Sequence, residues 1–168
     1  MFSNYIRPIL VFLIFGIFSC NNGKSPIIYP EGLEFLSLEN TSDSICMTCG
    51  NQILIYHNFD ESSLYIFSPK FQWAELKRKY PDVGIVSVFE GNDKEFLIKE
   101  LTKLEYPWPV FYDKNRQFFS LNKFDTVDKK NKNFIPFHLK NGTAIDYAEV
   151  GVFPYLEEEL NKILKVED

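Results

Sequence analysis

Cysteine, methionine, tryptophan and histidine are all scarce here: three Cys, two Met, two Trp and two His in 168 residues. No metal or cofactor is expected, because zinc takes four ligands and only His57 and His138 are left to join Cys46 and Cys49. A basic stripe is missing too. Lys and Arg total 18 against 23 Asp and Glu, a net charge of −5, which argues against a nucleic-acid partner. Repeats and low-complexity tracts are absent. After the first apolar run, residues 9–18, there is no second one of comparable length.

That first run is about ten residues, too short for a hydrocarbon core that needs roughly 20. Arg7 precedes it and is the only charge before Lys24. A positive start, a short apolar stretch and the small Ser19 make a secretory signal over residues 1–19. The stretch Gly16-Ile17-Phe18-Ser19-Cys20 resembles a lipobox, although Phe18 is bulkier than the usual occupant. The resemblance implies that Cys20 becomes the lipidated N-terminus of a bacterial lipoprotein. Its sulfur would take a diacylglycerol. A second acyl group such as palmitate on the freed amine would make anchoring stable, since one chain holds only marginally. Residues 20–40 then form the lipidated end and tether, and 41–168 the domain. The expected place is the cell envelope, in the periplasm or at the surface. The outer membrane is favoured over the inner, because Asn21, not an acidic residue, follows Cys20.

Removing residues 1–19 takes away Arg7 alone and leaves a net charge of −6. An aromatic content of 17% gives one small domain a large apolar payload. With Cys20 lipidated, Cys46 and Cys49 remain, three apart. In an oxidising compartment such a pair suits a local disulfide. Inert thiols, a displaced redox pair and half of a metal site stay open beside it.

Residues 25–40 read as an irregular lead-in with Pro26 and Pro30. Residues 52–57 form a short apolar run, the pattern of a buried strand. Helical spacing follows over 64–80, ended by Pro81-Asp82. A second buried strand is expected over 83–89 and a helix over 93–104, with Phe96, Leu97, Leu101 and Leu104 on one stripe. A short strand at 110–112, a short helix over 115–124 and a lysine-bearing loop over 125–133 come next. Asn141-Gly142 marks a hairpin between 134–139 and 143–150. The last helix opens near Pro154, with Glu157, Glu158 and Glu159 early and Lys162 and Lys165 late, which complements the helix dipole. The class is α/β: a mixed sheet flanked by helices in a three-layer sandwich.

This order, Pro69 within the helical stretch, Pro109-Val110-Phe111-Tyr112-Asp113, and the run Phe134-Ile135-Pro136-Phe137-His138-Leu139 into a polar turn resemble the thioredoxin-like fold. The likeness covers about residues 52–164 and is nearest to redoxin-type, thiol–disulfide oxidoreductase-like domains of tethered lipoproteins. It implies a cis bond at Ile135–Pro136, where the family exposes backbone to a substrate peptide.

Counting back from Pro69, the family's Cys-x-x-Cys falls on Glu61-Ser62-Ser63-Leu64. Both catalytic sulfurs are absent from that turn. Thiol exchange needs a stabilised thiolate and a resolving thiol. Ser62 and Ser63 are therefore expected to cap the helix. Cys46 and Cys49 precede the first strand, so they should lie at the wrong end, away from Pro136 and from any helix dipole. His57 ends that strand, and His138 follows Pro136 by two residues. The expectation is a membrane-anchored domain, redox-inactive at the usual site, that binds envelope proteins or peptides beside Pro136. The alternative is an envelope thiol–disulfide oxidoreductase that uses Cys46 and Cys49.

Overall fold

The computed structural model describes residues 26–38, 41 and 45–165. The signal, Cys20 and the first residues of the tether lie outside them. No helix among the described residues is long and apolar enough to cross a membrane.

Six strands form one mixed sheet in the order β1-β4-β3-β2-β5-β6. They are β1 (Glu34–Leu36), β2 (Asn51–Asn58), β3 (Gly84–Glu90), β4 (Val110–Asp113), β5 (Phe134–Lys140) and β6 (Thr143–Tyr147). β2, β3 and β4 run parallel, while β1, β5 and β6 pair antiparallel to their neighbours. β3 is buried at every position and β2 at all but its first. Helices therefore cover both faces, as a sheet with a parallel centre requires.

Side-chain alternation divides the core in two. Ile53, Ile55, Ile85, Phe89 and Val110 face α1 (Trp73–Lys79), α2 (Lys94–Lys103) and α4 (Phe153–Lys165). Leu54, Tyr56, Val86, Val88, Ile135 and Phe137 face α3 (Gln117–Leu121) and the turn at Phe124. The hairpin takes the form Asn-Gly predicts: Asn141 and Gly142 have φ of 50° and 73°, which suits the twist of the flanking strands.

Four expectations change. The helix predicted over 64–80 divides into 3-10 turns at Leu64–Phe67 and Pro69–Phe71, followed by α1. Pro69 opens the second turn and does not sit inside an α-helix. Its ring bars the preceding residue from helical geometry, and Ser68 is extended with ψ of 158°. The lead-in contains the edge strand β1. The helix predicted over 115–124 is only α3, followed by a 3-10 turn at Phe124–Thr126. No described peptide bond is cis, so the expected cis Ile135–Pro136 bond is trans. Pro136 is the third residue of β5, opposite Ile55 of the central strand. It does not open the strand, and the extended backbone there accommodates the ordinary isomer.

Candidate functional site

Ligands of open α/β sheets lie at the carboxyl ends of the strands. Here the ends of β2 and β3 meet the turn 59–63 and the first 3-10 turn. Glu61 and Ser63 are exposed, Ser62 is half-buried, and Leu64 is buried in the core. Ser63 caps the 3-10 turn by accepting a hydrogen bond from the Tyr65 amide at 3.2 Å. Asp60 accepts from the Asn92 amide at 3.1 Å and from its side-chain amide at 2.6 Å, tying this turn to the one after β3.

His57 lies beneath the turn and is 1% exposed. Phe67, Phe89 and Phe134 surround its ring, with centroids at 5.2, 5.7 and 5.6 Å. Nε2 lies 3.2 Å from the Ser62 carbonyl, and Nδ1 is buried without a partner. Burial pushes the imidazole down to about 4, against a smaller upward pull from the Ser62 carbonyl. The ring is thus neutral at physiological pH, and its Nε2–H is committed to backbone. It is not aimed at a serine hydroxyl, which leaves Ser62 without a base.

On the opposite face of the same strand ends is a polar cluster that sequence reasoning missed. Glu90 ends β3 and is 7% exposed. It accepts a hydrogen bond from the Tyr56 hydroxyl and another from the Asn58 side-chain amide at 3.1 Å. Arg116 Nε stands 3.7 Å away. Asp113 accepts from the Gln117 and Phe118 amides at 3.1 and 2.7 Å. Burial raises the Glu90 carboxyl above its ordinary value, opposed by the Tyr56 bond and the Arg116 charge. Burial, chiefly, also pushes the Tyr56 hydroxyl up. Both shifts run toward the protonated forms of the two side chains. The cluster's sequence signal was an acidic residue closing the apolar run 84–89.

The cysteines lie elsewhere. Cys46 and Cys49 form a disulfide across a turn, with Cα atoms 5.5 Å apart. Both are half-buried, while Met47 and Thr48 between them are exposed. The Cys46 carbonyl accepts from the Gln52 side chain at 2.7 Å, which fixes the turn at the start of β2. Gln52 and His57 are five residues apart on one strand, about 17 Å at ~3.3 Å per residue. The pair also lies on the face that holds Leu54 and Val86. Pro136 points to the other face, with Phe134 and His138. His138 Nε2 is 2.9 Å from Glu159 Oε2 of α4. The structure thus brings neither His57 nor His138 to the sulfurs, and among the described residues no His, Cys, Asp or Glu cluster could hold a metal.

Gly84 makes room for the disulfide turn. A Cβ there would come within 3.0 Å of the Cys46 carbonyl and 3.2 Å of Cys49 Cβ. Gly84→Ala is expected to lower stability by about 1–3 kcal/mol in urea unfolding. The loss should shrink once the disulfide is reduced, because Cys49 can then move aside.

No family model and no curated protein matches the chain. Solved structures do. A Chlorobium tepidum protein assigned as the thiol:disulfide interchange protein DsbE superposes with a TM-score of 0.51 at 17% identity, over 71% of this chain and 80% of that one. A Bacteroides vulgatus protein assigned as a thiol-disulfide oxidoreductase gives 0.51 at 16% identity, over 71% and 76%. At such identities the likeness speaks for architecture alone. Together with the mixed six-stranded sheet between helical layers, it establishes that this chain has the thioredoxin-like fold.

Proposed function

We propose that the chain is a lipid-anchored, thioredoxin-like protein of the cell envelope whose exchangeable pair is Cys46–Cys49. The observation that carries this is the closed, half-exposed disulfide on a turn at the start of the central strand. A thiolate of a partner protein would attack one sulfur of the pair and form a mixed disulfide, releasing the other as a thiolate. A second partner thiol, deprotonated, would attack the mixed disulfide. The partner leaves with a disulfide, and Cys46 and Cys49 gain two electrons and two protons as thiols. The reverse course would reduce a partner.

Two physical points support an exchangeable bond over a staple. A disulfide stabilises chiefly by closing a loop in the unfolded chain, and one that closes four residues is worth only about 2 kcal/mol, against about 3 for fifteen. Exposed disulfides are also the labile ones. Among the described residues no helix starts beside either sulfur, so none of them holds the thiolate as it is held in strong oxidants.

A redox titration of the whole protein is expected to give a midpoint between about −180 and −270 mV, the range of exchange enzymes. Cys46→Ser should abolish dithiol-dependent insulin reduction while costing no more than about 2 kcal/mol of stability. A midpoint below about −300 mV, or insulin reduction unchanged in the variant, would reject the exchange role.

A second reading follows from the Glu61-Ser62-Ser63-Leu64 turn. A domain without sulfur at the strands' carboxyl ends can serve as a binding module for envelope proteins or peptides, although Ile135 and Pro136 are themselves buried within β5 and the Pro136 carbonyl already accepts from the Ala148 amide. A very stable disulfide together with specific peptide retention would favour it.

A further inference from the structure

On the face away from α4, an open groove of about 790 Å³ runs between the edge strand β6 and the Leu121–Val127 segment. Its lining is chiefly apolar and includes Phe124, Val127, Phe137, Ile145 and Tyr147. Pockets of this size suit a small apolar ligand. Two rim residues, Ile28 and Leu121, are 50% and 46% exposed and carry the apolar lining out to the surface.

The described chain begins in this groove. Pro26 bridges to Thr143 on the edge strand. The Ile27 amide donates to the Gly142 carbonyl at 2.9 Å. The Ile28 amide donates to Asn122 Oδ1 at 2.8 Å, and Asn122 Nδ2 returns a bond to the Ile28 carbonyl at 2.9 Å. These bonds set where the N-terminal tether leaves the domain. Cys20 is six residues before Pro26, a reach of at most about 20 Å when extended. An anchor at Cys20 would therefore keep this face close to the membrane.

Charge points the same way. Residues 121–133 carry Lys123, Lys129, Lys130 and Lys132 against Asp125 and Asp128, while the whole chain is −5. Asp146 is the one acidic residue on the groove wall. Lys129 Nζ sits 4.6 Å from the centroid of the Tyr147 ring, at the groove's edge.

We infer that this groove is the domain's membrane-docking face: Ile28 and Leu121 seat in the bilayer interface, a phospholipid acyl chain enters the groove, and the lysines meet anionic headgroups. The inference rests on the anchored reading of Cys20. It adds an orientation: the groove faces the bilayer, while the Glu61–Leu64 turn and α4 lie elsewhere on the domain.

The test is hydrogen–deuterium exchange on the full protein purified from membranes and placed in vesicles of phosphatidylglycerol and phosphatidylethanolamine. Amides of residues 27–28, 121–127 and 143–147 should exchange at least tenfold more slowly on vesicles than without them. Ile28→Asp combined with Leu121→Asp should erase that slowing without unfolding the chain, since both side chains are exposed. Equal exchange with and without vesicles overturns the docking face. So does protection that appears without lipid and grows with protein concentration, which would make a second copy the occupant. Palmitate labelling of Cys20 reports on the anchor separately. If the label is absent the anchored reading fails, and slowing on added vesicles then still supports the face, while its absence overturns it.

Discussion

Phe67→Ala is expected to lower the unfolding free energy by about 3–5 kcal/mol, the range for truncating a fully buried phenylalanine. Phe67 is 0% exposed. Its ring stands 4.8 Å from Phe89, 5.2 Å from His57 and from Tyr106, and 6.0 Å from Trp73, centroid to centroid. It thereby joins the turn after β2, the central strands and α1. The loss exceeds the transfer energy of the ring because its neighbours come from several elements and cannot close the cavity together. Urea unfolding should show a lower midpoint at unchanged m-value. Tyr65→Ala, two residues away and 52% exposed, should stay within about 0.5 kcal/mol. A Phe67 loss no larger than that of Tyr65 would mean that the turn does not pack on the sheet as described.

The second large effect depends on pH. His57 titrates near 4 in the folded protein because burial disfavours its charged form. The unfolded chain titrates it near 6.5. Between those values the unfolded state binds the extra proton, so stability falls as pH drops through that window. The full loss is roughly 3 kcal/mol at 1.36 kcal/mol per unit. Glu90 has the opposite sign. Its raised folded value contributes stability at low pH that is lost as pH rises through it. The two therefore partly offset each other in the wild-type acid profile. Comparison with His57→Phe isolates the histidine: the variant should start less stable at pH 7, because the Ser62 carbonyl loses its donor, yet lose roughly 3 kcal/mol less than wild type between pH 6.5 and 4. Parallel pH profiles for the two proteins would show that His57 is not held neutral.

Local patterns carried most of the fold. Strands β2, β3 and β5 and helices α2 and α4 stand within one or two residues of their expected positions, because each has a strong apolar period or a strong end signal. Asp93 shows why: its side chain accepts from the Phe96 amide at 2.8 Å and starts α2 there. β1 was illegible. Three residues with two exposed side chains have no period of their own, and they become a strand only because β4 offers an unpaired edge. Pro69 misled for a related reason. The helical spacing over 64–80 suggested one helix, but the proline and its extended neighbour divide the stretch into shorter turns.

The candidate site was half legible. The absence of sulfur at 61–64 is a matter of residue identity and needed no coordinates. The sequence offered the pairing of Cys46 with Cys49 as one reading among several, and the structure closes it as a disulfide. Other features join residues far apart in the chain: Glu90 with Tyr56 and Arg116, His57 inside its ring of phenylalanines, and the groove where the tether leaves. By itself the sequence determined the kinds of elements, their order and which chemistry the usual turn lacks, since periodicity, caps and residue identity act over a few neighbours. Only the tertiary structure decided which polar groups lose their water together and which end and face of the sheet each occupies. Desolvation and hydrogen bonding depend on distance in space, and the thirty-three residues between Tyr56 and Glu90 carry no local trace of their meeting.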